Sequence, residues 1–137
     1  MSIAEDFEQN GFIFEMHFMK HTLAVAIFLF FAPVFADAPP GQKLEIDHLL
    51  NFVEHSTCRI NRNGKFYDGS KAISHIKKKY AYFKNEIQTT EQFIELSATK
   101  STMSGNYYMV ECGDGEQIRT KDWLLNELGK YRDSGNS

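Results

Sequence analysis

Residues 23–35 (LAVAIFLFFAPVF) form an unbroken apolar run of 13, and this run decides how much of the chain is left to fold. It falls short of the ~20 residues that a bilayer-spanning helix requires. Met19, Lys20 and His21 precede it, and Val34-Phe35-Ala36 places small side chains at the two positions a signal peptidase inspects. A charged start, an apolar core and a cleavage site make up a secretory signal, so residues 19–36 read as a signal peptide. A short membrane anchor or a buried core helix is the alternative. Pro33 speaks against both, because it interrupts a helix where either would continue. No cysteine follows the expected cut, and lipid attachment there is not suggested.

Residues 1–18 carry Glu5, Asp6, Glu8 and Glu15, the wrong sign for the cytoplasmic end of an export signal. Translation is therefore expected from Met19, with Met16 as second choice, and residues 1–18 read as a mis-called extension. A cut after Ala36 leaves a single domain over residues 37–137, in which 14 Lys and Arg face 14 Asp and Glu. The net charge of -3 on the whole chain belongs to the leader. A neutral domain has no global attraction to nucleic acid or to anionic membrane, so neither is expected as a partner, and no membrane span remains after cleavage.

Export changes the reading of the only two cysteines, Cys58 and Cys112. An oxidising compartment and an even count favour a disulfide. Closing a loop of this length is worth roughly 4 kcal/mol in the chain-entropy picture, a large share of a typical stability of about 5–15 kcal/mol. The competing reading is a free nucleophilic thiol served by His48, His55 or His75, but neither cysteine stands in a recognisable catalytic context.

Between the cysteines the periodicities alternate. Residues 42–55 repeat apolar positions at Ile46, Leu49, Leu50 and Val53, the spacing of one helical face. Asn63-Gly64 between two β-prone runs predicts a hairpin, because a type I′ turn needs positive φ twice. The register then pairs Arg62 with Lys65, Ile60 with Tyr67 and Arg59 with Asp68, with Cys58 facing the core. Ser70 is positioned to cap a second helix running to about Ile87, Thr89 or Thr90 a third carrying Phe93 and Ile94, and Thr120 a last one carrying Trp123, Leu124, Leu125, Leu128 and Tyr131. Tyr108, Val110 and Cys112 alternate as a core-facing strand that turns back at Gly113-Asp114-Gly115. Residues 132–137 read as a disordered tail. The expected fold class is α+β: about four helices and two β-hairpins in one small domain stapled by one disulfide and preceded by a signal peptide.

Candidate functional residues are few. Lys77-Lys78-Lys79 spreads over ~200° of a helix, so Lys78 points to solvent while Lys77 and Lys79 lay their stems along the core. On the same wheel His75, Lys79, Tyr82 and Glu86 line up on the polar side. Tyr82 there is expected to be covered by another segment, or else to be a contact residue. His48 and His55 share a helix face with Glu45 and Asn51, a weaker pattern than the closer histidine pairs of zinc sites, so no metal and no cofactor is expected. Ser97-x-x-Lys100 and Ser104-x-Asn106 mimic serine acyltransferase motifs. In those enzymes the two elements come from separate parts of a larger fold, whereas here both fall in one connection.

Cys58, Arg62-Asn63-Gly64, Lys79-Tyr80 with Tyr82, Glu91-Gln92-Phe93-Ile94, Lys100-Ser101, Ser104-Gly105, Tyr107-Tyr108, Cys112 and Trp123-Leu124, in this order and spacing, resemble the YfeK-like family of small exported bacterial proteins. The resemblance implies a signal peptide, one compact domain and no assigned function or site residues. The functional expectation is a non-enzymatic binding or accessory module of the bacterial envelope, periplasmic or secreted, with an envelope protein or glycan as partner and an oligomeric state left open. The alternative is a small envelope hydrolase using Glu45, His48 or His75 as acid or base.

Overall fold

In the computed structural model of the protein, residues 40–135 are described. The expected extension (1–18), the expected signal peptide (19–36) and the last two residues lie outside the described residues. Helix α1 (Pro40–His55) starts on a proline, which tolerates the first turn because its missing N–H would have no helical partner there. It buries Ile46, Leu49 and Val53, three of the four residues on the expected face.

Strands β1 (Arg59–Arg62) and β2 (Lys65–Tyr67) follow. Asn63 (φ 53°) and Gly64 (φ 84°) both adopt positive φ, the geometry of a type I′ turn, and the register is Ile60 with Tyr67 and Arg62 with Lys65. The expected Arg59–Asp68 pair does not form. Asp68 instead caps helix α2 (Gly69–Phe83), its Oδ1 accepting from the Lys71 amide at 2.8 Å. The cap is therefore Asp68 and not Ser70, because the chain is still extended at Asp68 and turns helical one residue later. A Cβ on Gly69 would lie 2.2 Å from the Val53 carbonyl oxygen, so this glycine lets α2 start hard against the end of α1.

Helix α2 ends at Phe83 and a 3-10 turn (Lys84–Glu86) leads to buried Ile87. Helix α3 (Thr90–Phe93) opens with a capping box between Thr89 and Gln92, then widens into a π turn (Ile94–Ala98) that buries Ile94, Ser97 and Ala98. Thr99 closes it by donating Oγ1 to the Ile94 carbonyl. Strands β3 (Met109–Glu111) and β4 (Ile118–Arg119) lead into helix α4 (Thr120–Gly135). The Thr120 hydroxyl is buried without a partner, so it is not the cap the sequence suggests. Helix α4 also continues to Gly135, where a disordered tail from residue 132 was expected.

The two hairpins do more than meet. β1 pairs antiparallel with β3, Arg59 opposite Glu111 and Ile60 opposite Val110, giving one four-stranded sheet of order β2-β1-β3-β4. Continuing that register by one residue sets Cys58 opposite Cys112, and they form a disulfide with a Cα–Cα distance of 4.3 Å. Cys58 is half-buried, but Cys112 lies one residue past the strand and is exposed, a correction to the expectation that both face the core. Ile60 and Val110 on the inner face join Ile46, Leu49, Ile73, Ile76, Phe93, Leu124 and Leu128 in the core.

Candidate functional site

Period-two alternation along β1 puts Arg62 on the same face as buried Ile60, at the end of the sheet where the ladder sets it opposite Tyr108. Arg62 reaches between two rings, its guanidinium carbon 4.9 Å from the Tyr67 centroid and 5.6 Å from that of Tyr108, and its Nε is buried without a partner. Tyr108 is fixed by its backbone, its N–H donating to Thr99 O and its carbonyl accepting from Thr120 N.

Helix α2 crosses this end and lays three residues against it. His75 Nε2 and the Tyr108 hydroxyl are 3.1 Å apart. Lys79, only 8% exposed, donates Nζ to the Lys100 carbonyl at 2.6 Å and stands 5.4 Å over the Tyr108 ring. One turn on, Tyr82 is 81% exposed and packs edge-on against Phe83. Together His75, Lys78, Lys79, Tyr82, Phe83 and Thr102 line a cleft of about 440 Å³.

The far wall comes from the connection after the π turn. The Ser101 hydroxyl accepts from the Met103 and Ser104 amides, and Gly105 (φ 75°) lets the chain turn back so that Ser101 N donates to Asn106 O. Ser104 Oγ and Asn106 Nδ2 both donate to Asn63 Oδ1, tying this loop to the β1–β2 turn. Ser104 and Asn106 of the second acyltransferase-like motif are thus, with Ser101, the frame of a loop. Ser97 is a fully buried hydroxyl with no hydrogen-bond partner.

The charges around the cleft are one-sided. Burial, then Arg62, Lys79 and Lys78, push the His75 pKa down from 6.5 to about 4, so the imidazole is neutral at physiological pH. Burial, then Arg62 and Lys100, also hold the Lys79 ammonium below its ordinary value. No carboxylate is among the groups acting on either residue.

Of the four residues aligned on the sequence wheel, His75, Lys79 and Tyr82 meet at this cleft and Glu86 does not. Helical projection carries Glu86 onto that line only if α2 continues, and it ends three residues earlier. Tyr82 is uncovered, against the preferred expectation. Lys79 is more deeply withdrawn than a side chain laying its stem along the core. Arg62, Tyr108, Phe83 and Thr102 were missed; alternation along β1 could have revealed Arg62.

The acid–base candidates are dispersed. Glu45 accepts from Arg132 and Thr90, in a cleft with Tyr131. His48 pairs with Glu127 at 2.7 Å, stacks on Tyr131, and lines a separate cleft beside Cys58 and Trp123. His55 Nδ1 sits 3.0 Å from the Asn51 carbonyl. Among the described residues no group of three or more His, Cys, Asp or Glu is placed to hold a metal ion. Both thiols are consumed in the disulfide, which removes the free-nucleophile reading.

Residues 40–132 match a family described as a family of unknown function (DUF5329). The chain belongs to that family. The DUF5329 match runs from the first residue of α1 to Arg132 in α4, and so takes in the whole cleft and both cysteines. Uncharacterized protein YfeK of Salmonella typhimurium (strain LT2) is 30% identical over 90 residues, which cover 65% of this chain and 75% of YfeK. No solved structure matches.

Proposed function

We propose that the protein is a non-enzymatic binding or accessory module of the bacterial envelope, exported by way of residues 19–36, that engages its partner through the rim of the His75–Lys79–Tyr82 cleft. The observation that carries this reading is Tyr82: a large aromatic ring left 81% exposed at the mouth of a cleft backed by Lys79. Tyrosine is enriched at interfaces because it combines contact area with low conformational entropy and a polar tip. Among the described residues no helix is long and apolar enough to cross a membrane. The Cys58–Cys112 disulfide accords with an extracytoplasmic protein.

The dispersal of Glu45, His48 and His75 among three clefts weighs against the hydrolase alternative, which needs an acid, a base and their orienting groups within hydrogen-bond reach of one substrate. The test is crosslinking in the envelope with a photoreactive side chain next to Tyr82, in the wild type and in Tyr82→Ala. A discrete adduct lost in Tyr82→Ala supports the reading. Equal recovery from both removes Tyr82 from it.

A further inference from the structure

We infer that the cleft binds a small anion, a carboxylate or phosphate group, received by Lys78 and Lys79 beside His75, with Tyr82 and Phe83 flanking the body that carries it. This deepens the reading above and rests on the same cleft being a binding site.

Lys79 is the first reason. The residue is 8% exposed, and its ammonium, with three donors, makes one hydrogen bond, to a backbone carbonyl. Buried cations are ordinarily paired with a carboxylate, because an unpaired one loses its hydration without return. Here two further cations, Arg62 and Lys78, stand close enough to act on the same site, and no lining residue is acidic. Lys78 has no ion-pair or hydrogen-bond partner among the described residues. An anion would supply the missing counter-charge to several groups at once.

Size is the second reason. About 440 Å³ suits a small molecule or a single head group, whereas a polyanion would need a basic stripe along the surface. The domain as a whole is neutral. Tyr82 and Phe83, set edge to face, offer apolar surface to a sugar or hydrocarbon body adjoining the anion.

The imidazole provides a reporter. The charged groups acting on His75 are Arg62 from β1 and Lys78 and Lys79 from α2, and its ring nitrogen meets the Tyr108 hydroxyl ahead of β3. An anion seated among them favours the protonated imidazole. By linkage, binding then raises the His75 pKa, and affinity increases as pH falls towards 5.

The experiment is an NMR titration of the disulfide-intact protein with inorganic phosphate and, separately, with benzoate, at ionic strength held constant with sodium chloride. The expected result is a saturable shift of the His75, Lys79, Tyr82 and Thr102 signals, a rise in the His75 pKa, and affinity about tenfold weaker in Lys78→Ala, which removes one charge-assisted contact. Lys130→Ala, an exposed α4 change away from the cleft, leaves affinity unchanged. Saturation by phosphate alone assigns a phosphate ligand, and by benzoate alone a carboxylate on an apolar body. No saturation with either at concentrations on the order of 10 mM, or shifts that chloride reproduces, overturns the inference. Affinity equal in Lys78→Ala and wild type does the same. Anion silence with Tyr82-dependent crosslinking intact removes this inference alone. Anion binding without such crosslinking removes the partner surface and leaves the anion site standing.

Discussion

His75 concentrates the chemistry of the site in one titratable ring. Its native pKa of about 4 lies below the ordinary 6.5, so between these values the unfolded chain binds more protons than the folded one. Stability from this group is complete above about pH 6.5, falls as pH drops towards 4, and levels off below. Allowing for solvent screening at a half-buried site, the loss is at most about 2 kcal/mol. Glu45 and Glu91 act in a lower window. Arg132 holds both carboxylates below their ordinary 4.5, so their contribution is lost only as pH falls through those depressed values. Urea midpoints measured against pH should therefore drop in two stages, and His75→Gln should flatten the stage between pH 6.5 and 4 while leaving the more acidic one. An unchanged upper stage in His75→Gln would show that another group titrates there.

Elements were legible in the sequence where their cause is local. Ile46, Leu49 and Val53 mark one face of α1, Asn63-Gly64 dictates a turn that needs positive φ twice, and the register follows from the turn. What escaped depends on partners distant in sequence or on where a helix stops. Arg59 leaves Asp68 for Glu111, at 2.6 Å, only because β1 pairs with β3, and nothing in either strand announces that pairing. Glu86 drops from the His75–Tyr82 line because α2 ends at Phe83. Tyr82 could not be read as open or covered, since that depends on whether another segment crosses it. Gly69 belongs to the same class: its role comes from the backbone of α1 passing 2.2 Å from where a Cβ would stand. Gly69→Ala should cost about 1–3 kcal/mol, because a carbonyl within a helix cannot step aside cheaply. Gly129→Ala, in α4 with open space around its Cβ position, should gain about 0.5–1 kcal/mol. Chemical denaturation of the two variants checks both signs, and similar effects would refute the close approach at Gly69.

At the scale of the molecule, the four strands and four helices of the described residues are closed by one covalent bond. The Cys58–Cys112 bridge spans 54 residues and extends the β1–β3 ladder that joins the two hairpins. It closes the end of that ladder opposite to the one bearing Arg62 and Tyr108, four residue pairs from the cleft. Replacing both cysteines with serine should lower stability by about 4 kcal/mol in the chain-entropy picture, read as a fall in the urea midpoint. The bond equally bears on where the protein works, because such a bridge persists in an oxidising compartment and is uncommon in a reducing one. The most direct measurement is the intact mass of the native protein from the envelope fraction, alkylated with and without prior reduction. Export and the staple predict a chain that begins at Asp37 and takes up alkylating agent only after reduction. A full-length chain with two freely alkylated thiols would contradict both.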